Sequence, residues 1–243
     1  MARDFMKSLL ILPTLAATAS GATLVDWTFT GLANPAHGGS NTNVPAGNVI
    51  ASSSFATTAA GVSAGNIAAG TNGTYSNDIQ WSNGNSLASG ELNLQNWDLT
   101  GSAGTSGGLG GTGDSTPDFW LQFAINADPG QTIELTGISM SAWRNGTGAP
   151  EFYRWYYSTN GGTNWLTFGS LYTEDTAGTG SPFETSNYTG AVSASSLLLR
   201  FAPTGGSGNI HINDIVLTGI VVPEPTSTLL GALGILGLLR RRR

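Results

Sequence analysis

The second half of the chain alternates apolar and polar residues with the period of two that is typical of β-strands. The alternation is clear over residues 119–125, and it resumes over residues 132–143 after the turn signal Asp128-Pro129-Gly130. Within this later run the apolar positions change phase at Gly137, which predicts a β-bulge there. Four further strands are predicted at residues 152–157, 165–168, 196–201 and 209–221.

The first half of the chain has weaker patterns, because residues 31–90 are rich in Ala, Ser, Gly and Asn. We expect a strand from Leu24 to Phe29, followed by short, irregular strands and long surface loops. The short strands are predicted at residues 48–52, 79–81 and 91–97. Residues 101–113 contain seven glycines, which predicts a loop.

Closely spaced strands without intervening helices favour an antiparallel architecture. We find no amphipathic helical pattern between Thr23 and Val222. The predicted fold class is therefore all-β: one antiparallel β-sandwich over residues 23–221, with a jelly-roll-like topology. A segment of this length is long enough to build one domain with a substantial core.

The N-terminal residues 1–22 have the three parts of a secretory signal peptide. Arg3 and Lys7 precede an apolar run from Ser8 to Ala17, and small residues follow that run. We therefore expect an N-terminal signal helix that engages the general secretory machinery and is removed by signal peptidase.

The last 22 residues combine a proline-bracketed acid, an apolar stretch and a cationic end. Val222-Pro223-Glu224-Pro225 precedes fourteen uncharged residues, 226–239, and the chain then ends with Arg240-Arg241-Arg242-Arg243. As a helix, the uncharged stretch would be about 21 Å long, against about 30 Å for a membrane's hydrocarbon core. The arginines resist crossing, so we expect a short transmembrane helix whose C-terminus stays cytoplasmic.

This arrangement resembles the PEP-CTERM sorting signal of exported bacterial proteins. The resemblance covers residues 222–243 and is accompanied by the N-terminal signal peptide. It implies that an exosortase-type membrane protease recognises Val222, Pro223, Glu224 and Pro225 and removes the tail. It also implies delivery to the cell surface or to an exopolysaccharide matrix, and it implies nothing about the activity of residues 23–221.

The charge of the predicted domain limits the kinds of molecule that it can bind. Residues 23–222 contain three cations, Arg144, Arg154 and Arg200, against thirteen acidic residues, for a net charge near −10. Such an acidic, lysine-free surface repels nucleic acid, so we exclude a nucleic-acid partner. The chain has no cysteine, which excludes disulfides and thiol catalysis.

Residues 158–165 read Ser-Thr-Asn-Gly-Gly-Thr-Asn-Trp and lie between two predicted strands, so they predict a tight hairpin. They resemble the Asp-box turn of sialidases and other sugar-active β proteins, with departures at Asn160 and Asn164. The turn is structural even in those proteins and is present here in one copy, so the resemblance does not imply sialidase activity.

Five neighbouring residues form the candidate glycan-binding surface: Trp143, Arg144, Tyr153, Trp155 and Tyr157. Sugar-binding faces stack aromatic rings on the C–H faces of a sugar, and polar side chains bind its hydroxyl groups. Because strand residues alternate between two faces, half of these rings are expected to enter the core. The hypothesis therefore requires that Trp143, Trp155 and Trp165 are not all buried.

Asp26 in the first strand and Asp214 in the last are candidate calcium ligands, because carboxylates that meet across strands supply the oxygen atoms Ca²⁺ prefers. No other metal or cofactor is indicated. His211 lies between Ile210 and Ile212 and is expected to face outward. The candidate acids for glycoside hydrolysis, none of them in a catalytic motif, are Asp98, Asp118, Glu134, Glu151, Glu174 and Glu184.

Three functional hypotheses follow. The favoured one is an exported, non-catalytic surface or matrix protein that associates with exopolysaccharide and is held in the envelope membrane until its tail is processed. The first alternative is a carbohydrate-binding module, which needs an exposed aromatic row. The second is a secreted glycan hydrolase, which needs two carboxylates converging in a cleft.

Overall fold

The computed structural model describes residues 21–29, 42–43, 49–50, 56–71, 78–82, 91–95, 119–145, 148–149, 152–173, 184–204 and 209–224. In this part of the chain the protein consists of β-strands, turns and loops, arranged as two antiparallel sheets that form a sandwich. The predicted all-β sandwich is confirmed. The predicted signal helix and transmembrane helix lie outside the described residues.

Among the residues that the structure describes, the first sheet has eight strands. They are β1 (Ala22–Thr28), β2 (Thr42–Asn43), β4 (Ala56–Thr58), β7 (Asp78–Ser82), β8 (Glu91–Gln95), β10 (Gln131–Asn145), β13 (Glu184–Ala194) and β15 (Asn209–Pro223). Their order is β13-β10-β15-β8-β7-β2, and β1 pairs with β15 and with β4. The predicted bulge is confirmed, because the register of β10 shifts between Leu135 and Gly137 against both of its neighbours.

The second sheet has seven strands within the described ranges. They are β3 (Val49–Ile50), β5 (Val62–Ala64), β6 (Ile67–Thr71), β9 (Phe119–Ala127), β11 (Phe152–Ser158), β12 (Leu166–Thr173) and β14 (Ser196–Thr204). Their order is β12-β11-β14-β9-β6-β3, and β5 pairs with β9. The chain passes from one sheet to the other between β9 and β10, between β10 and β11, and at each step from β12 to β15.

An aromatic cluster fills the space between the sheets. The ring of Trp155 lies 5.5 Å from Phe123, 5.4 Å from Phe201 and 6.3 Å from Tyr188, measured between centroids. Trp27 of the first sheet lies 5.1 Å from Phe123 of the second. All five side chains are buried, so these contacts join the two layers.

The sandwich is narrow where β12 approaches β13. Gly169 has φ of +71°, and a Cβ atom there would lie 3.0 Å from the Cβ of Tyr188. Glycine is therefore required at this position both for the backbone conformation and for the close approach of the two strands.

Strand β15 lies inside the first sheet. One of its edges pairs with β10 from Asn209 to Pro223, and the other pairs with β8 and then with β1. The end of the strand meets the turn after β9, where Gly130 has φ of +78° and the Gln131 N–H donates to the Asp128 carbonyl at 3.1 Å. The predicted turn at Asp128-Pro129-Gly130 is thus confirmed.

Candidate functional site

The predicted sorting motif begins inside the folded domain. Val222 and Pro223 are the last residues of β15, and they pair with Thr132 and Gln131 of β10. The Glu224 N–H donates to the Gly130 carbonyl at 2.8 Å. The domain boundary expected between residues 221 and 222 therefore lies within β15. The sorting motif follows the domain directly, without a linker.

The remainder of the tail, Pro225 and residues 226–243 with Arg240, Arg241, Arg242 and Arg243, lies outside the described residues. In the part of the chain that the structure describes, no helix has the length and apolar character needed to cross a membrane.

The structure corrects the predicted aromatic platform. Trp143 is 2% exposed, Trp155 is 0% exposed, and Arg144 and Tyr153 are also buried. Tyr157 is half-buried and packs edge-on against Phe168. The sequence could not show this, because alternation tells which residues share a face and not whether that face is covered. These side chains do not form a solvent-facing stacking surface.

Two of the buried residues have specific partners. The Arg144 guanidinium donates from Nε and Nη2 to the Ala149 carbonyl, at 3.2 and 2.7 Å, and so holds the segment after β10. Trp143 stacks on His211 with 4.0 Å between ring centroids and 10° between planes. His211 lies on the opposite face from Ile210 and Ile212, as alternation requires, but it is buried and not exposed as expected.

The outer face of the first sheet is polar over its central strands. Register pairs Asp214 with Thr28 on one side and with Ser141 on the other, and Ser141 in turn faces Thr185. Two residues further along the strands, Asp26 of β1, Ser139 of β10 and Asn187 of β13 lie in the next row of the same face. We call this surface the hydroxyl face and define it by Asp26, Ser139, Ser141, Thr185, Asn187 and Asp214.

The two predicted calcium ligands lie close together on the hydroxyl face. Burial raises the pKa of Asp214, the charge of Asp26 raises it further, and a hydrogen bond from the Ser141 backbone opposes the rise. The Thr28 hydroxyl donates to Asp26 Oδ1 at 3.1 Å. Within the described ranges no group of three or more Asp, Glu or His side chains gathers to hold a metal. Calcium binding by this pair stays a prediction.

The predicted hairpin is confirmed, since β11 and β12 pair antiparallel around residues 159–165. Ser158 Oγ accepts hydrogen bonds from the N–H groups of Asn160 and Gly162, at 3.4 and 2.9 Å. Asn160 Oδ1 accepts from the Asn164 N–H at 3.0 Å and from the Ser158 hydroxyl at 2.9 Å. Asn160 therefore supplies the acceptor oxygen that the Asp of an Asp-box would supply.

This hairpin folds Trp165 back onto the outer face of the second sheet. The Trp165 Nε1–H donates to the Gly162 carbonyl at 3.0 Å, and the left-handed φ values of Gly161 and Gly162 allow the turn. The indole is 7% exposed and packs with Tyr156, Ala202 and Leu198. A small apolar cluster thus lies outside the sheet, separate from the core.

Beside this cluster, an arginine lies between two tryptophan rings. The Arg200 Cζ atom is 3.8 Å from the ring centroid of Trp120 and 3.8 Å from that of Trp165. Two rings at this distance cannot share one face of a guanidinium, so the group is sandwiched between them. Its Nε–H donates to Gln122 Oε1 at 3.1 Å. Burial lowers the pKa of Arg200 to about 10, which leaves the group charged at neutral pH.

Arg154 lies on the same face. It pairs with Ala202 on β14, while Arg200 pairs with Tyr156 on β11, so the two arginines are diagonal neighbours on adjacent strands. Such positions are roughly 7–8 Å apart. We call this surface the arginine–tryptophan face and define it by Trp120, Gln122, Arg154, Trp165 and Arg200. Neither arginine forms an ion pair with a described residue.

One signal of this face is visible in the sequence: Arg200 interrupts the apolar run from Leu197 to Phe201 and is one of only three cations between residues 23 and 222. Trp165 belongs to the predicted hairpin and is one of the three tryptophans whose exposure the aromatic row requires, but nothing in the sequence places it beside Arg200. Arg200 contacts both Trp120 and Trp165 because the hairpin folds back onto the sheet. A fold-back of this kind leaves no periodic pattern in the sequence.

The comparisons with known proteins identify the tail. Residues 221–243 match the family model of the PEP-CTERM protein-sorting motif. The resemblance noted in the sequence is thereby confirmed, and the chain carries the signal of an exported, sorted protein that is membrane-anchored before processing. No curated protein matches the chain.

Several solved structures are similar in architecture. The CBM22-1 xylan-binding domain from Paenibacillus barcinonensis has 10% identity and a TM-score of 0.41, covering 85% of this chain and 97% of that one. The K3 cleaved adhesin domain of Lys-gingipain from Porphyromonas gingivalis has 15% identity and a TM-score of 0.36, covering 63% and 91%. A CBM32 module from Clostridium perfringens has 11% identity and a TM-score of 0.32, covering 65% and 94%. Similarities this low do not determine the function of this chain.

Proposed function

We propose that this chain is the precursor of a non-catalytic surface or matrix protein. A signal peptide over residues 1–22 directs it to the secretory machinery, and an exosortase-type protease processes it at Val222–Pro225. The product is a jelly-roll-like sandwich that stays at the cell surface or in an exopolysaccharide matrix. The observation that carries the proposal is the sorting motif at residues 221–243, joined directly to the last strand of a folded domain.

The physical character of the tail supports transient anchoring. An apolar stretch of about 21 Å is short for a permanent span, and four terminal arginines hold its end on the cytoplasmic side. The sandwich then lies on the opposite side of the membrane. Because the chain has no cysteine, it folds there without disulfide bonds.

A non-catalytic role is supported by the placement of the acids. Of the candidate hydrolytic acids, Glu134 and Glu184 lie on β10 and β13, and the others lie outside the described residues. Glu134 pairs with Ser193 and Glu184 pairs with Ala142, so the two described acids are nine residues apart along β13 and do not form a close pair. The hydrolase alternative would need two of the candidate acids to converge in a cleft, and loss of polysaccharide cleavage in Glu134→Gln or Glu184→Gln would be its signature.

The sorting proposal is tested with Glu224→Ala in the full chain, expressed in a host that has the processing protease. Because Glu224 is the acid of the motif, we expect an unprocessed precursor in the membrane fraction, detected by intact mass and immunoblotting. Glu184→Ala, which removes an acid of β13 that pairs with Ala142, ten residues along β10 from the Thr132 that pairs with Val222, is the matched control and should be processed normally. Normal processing of Glu224→Ala would refute the proposal.

A second candidate function, carbohydrate binding, is favoured by one specific observation. Trp143, Trp155 and Trp165 are all buried, so the condition set for an exposed aromatic row is not met. What the arginine–tryptophan face offers a saccharide is the planar guanidinium of half-buried Arg200, held between Trp120 and Trp165. This candidate no longer depends on Trp143, Arg144, Tyr153 or Trp155, which are buried.

A further inference from the structure

We infer that the arginine–tryptophan face binds the carboxylate of an acidic saccharide, with Arg200 as the principal contact. The inference gives the carbohydrate-binding candidate a ligand class and a location, and it rests on that candidate alone. It is independent of sorting, because none of its residues belongs to the motif.

The geometry of Arg200 leaves one direction open for a ligand. Trp120 and Trp165 cover the two flat faces of the guanidinium, and Gln122 accepts the Nε–H. The Nη groups remain, and they make no hydrogen bond to any described residue. They point in the guanidinium plane, where a carboxylate binds with two parallel hydrogen bonds. The stacked rings hold this plane in place before a ligand arrives.

Arg154 is the second half-buried cation of this face. Its Nε has no exposed surface and no acceptor among the described residues, so a ligand is contacted by the exposed parts of the two guanidinium groups. Arg154, roughly 7–8 Å away along the diagonal, is placed to bind a hydroxyl or ring oxygen of the same sugar.

Charge decides which acidic ligand fits. Arg154 and Arg200 are two of the three cations between residues 23 and 222, and both lie on this face, so most of the positive charge of an anionic domain is gathered here. A densely charged polyanion or a second copy of the chain would be repelled by the net charge near −10. A short acidic saccharide carries few charges, so it is repelled less, and at physiological salt the charges of the domain that lie more than about 8 Å away are screened.

The test uses the full chain purified in detergent, with trigalacturonate as the probe and its methyl ester as the neutral ligand of the same shape. Binding is followed by tryptophan fluorescence and by calorimetry. We expect the acid to bind at least tenfold more tightly than the ester, because a hydrogen-bonded charge pair contributes at least that factor.

Arg200→Gln should weaken binding of the acid tenfold or more and leave binding of the ester unchanged. Arg240→Gln makes the same charge change in the tail and should have no effect. Arg154→Gln, whose side chain is not stacked between rings, should also weaken binding and serves as the decisive variant if Arg200→Gln does not fold.

Three results would overturn the inference: no measurable binding of trigalacturonate, equal affinity for acid and ester, or full affinity in both arginine variants. A triglutamate peptide that binds as tightly as trigalacturonate would overturn the assignment to a saccharide. Each of these results is separate from the processing of Glu224→Ala, so the sorting proposal stands or falls on its own experiment.

Discussion

The outer faces of the two sheets are built from the same alternating strands but have opposite character. The hydroxyl face presents short polar side chains and a pair of carboxylates directly on the sheet. The arginine–tryptophan face is covered by a hairpin that folds Trp165 back onto Tyr156 and Ala202. The comparison shows that the outer side of a sheet becomes a structured site only when another segment packs on it.

The two faces also differ in how their charged groups are stabilised. On the hydroxyl face, partial burial raises the pKa of Asp214 and the like charge of Asp26 raises it further, so the ionised carboxylate is destabilised in the folded protein. On the other face, burial between indoles lowers the pKa of Arg200, and stacking offsets part of the cost of burial. Substitutions on each face therefore test whether the two faces differ in this way.

The largest effect is expected from Trp165→Ala. The indole is buried on the second sheet and stacked on Arg200, so its removal should lower the free energy of unfolding by about 3 kcal/mol in urea titrations. Asn187→Ala, an exposed position of the hydroxyl face, should change it by less than about 0.5 kcal/mol. Equal losses at the two positions would contradict the distinction between the faces.

A smaller effect is expected from Asn160→Ala, which removes the acceptor for the Asn164 N–H and leaves Ser158 with one partner fewer. The free energy of unfolding should fall by about 1–2 kcal/mol, and the fluorescence of Trp165 should shift as the indole gains solvent. Asn160→Asp keeps the oxygen and should retain the wild-type spectrum. An unchanged spectrum in Asn160→Ala would mean that the turn does not hold Trp165.

The smallest effect is expected from Asp214→Asn, which is the one of these variants expected to raise the free energy of unfolding. A raised pKa means that the folded state binds the proton more tightly than the unfolded state, so stability falls as pH rises from about 4 through the pKa of the folded state. The variant should be more stable than wild type at pH 7 and equal to it below about pH 4. Thermal unfolding at both pH values measures this, and a loss at pH 7 in calcium would instead favour the predicted metal site.

The sequence predicted most of the long strands, because β9, β10 and β15 alternate strongly and β14 is an apolar run. It missed β13, whose residues Glu184–Ala194 are mainly Ser, Thr, Asn and Gly. Only Tyr188 and a few small side chains of that strand face the core, since it lies at the sheet edge. Strand periodicity cannot be read where so few positions are apolar.

The candidate sites were harder to predict than the strands. The sorting motif was readable because its three parts are contiguous in sequence. Arg200 and Trp120 lie on neighbouring strands, and Trp165 arrives from a third segment, so their contact depends on a fold-back that is set by Ser158 and Asn160. His211 is likewise covered by a residue of a neighbouring strand, because Trp143 stacks on it. The pattern of its own strand does not predict that contact.

The position of β15 has a mechanical consequence for the whole precursor. The tail continues a strand that pairs along its length with β10 and, on its other edge, with β8 and β1. A pull on the tail therefore acts along the strand, at right angles to its hydrogen bonds, and loads many of them in shear at once. An edge hairpin would instead unzip one bond at a time under the same force.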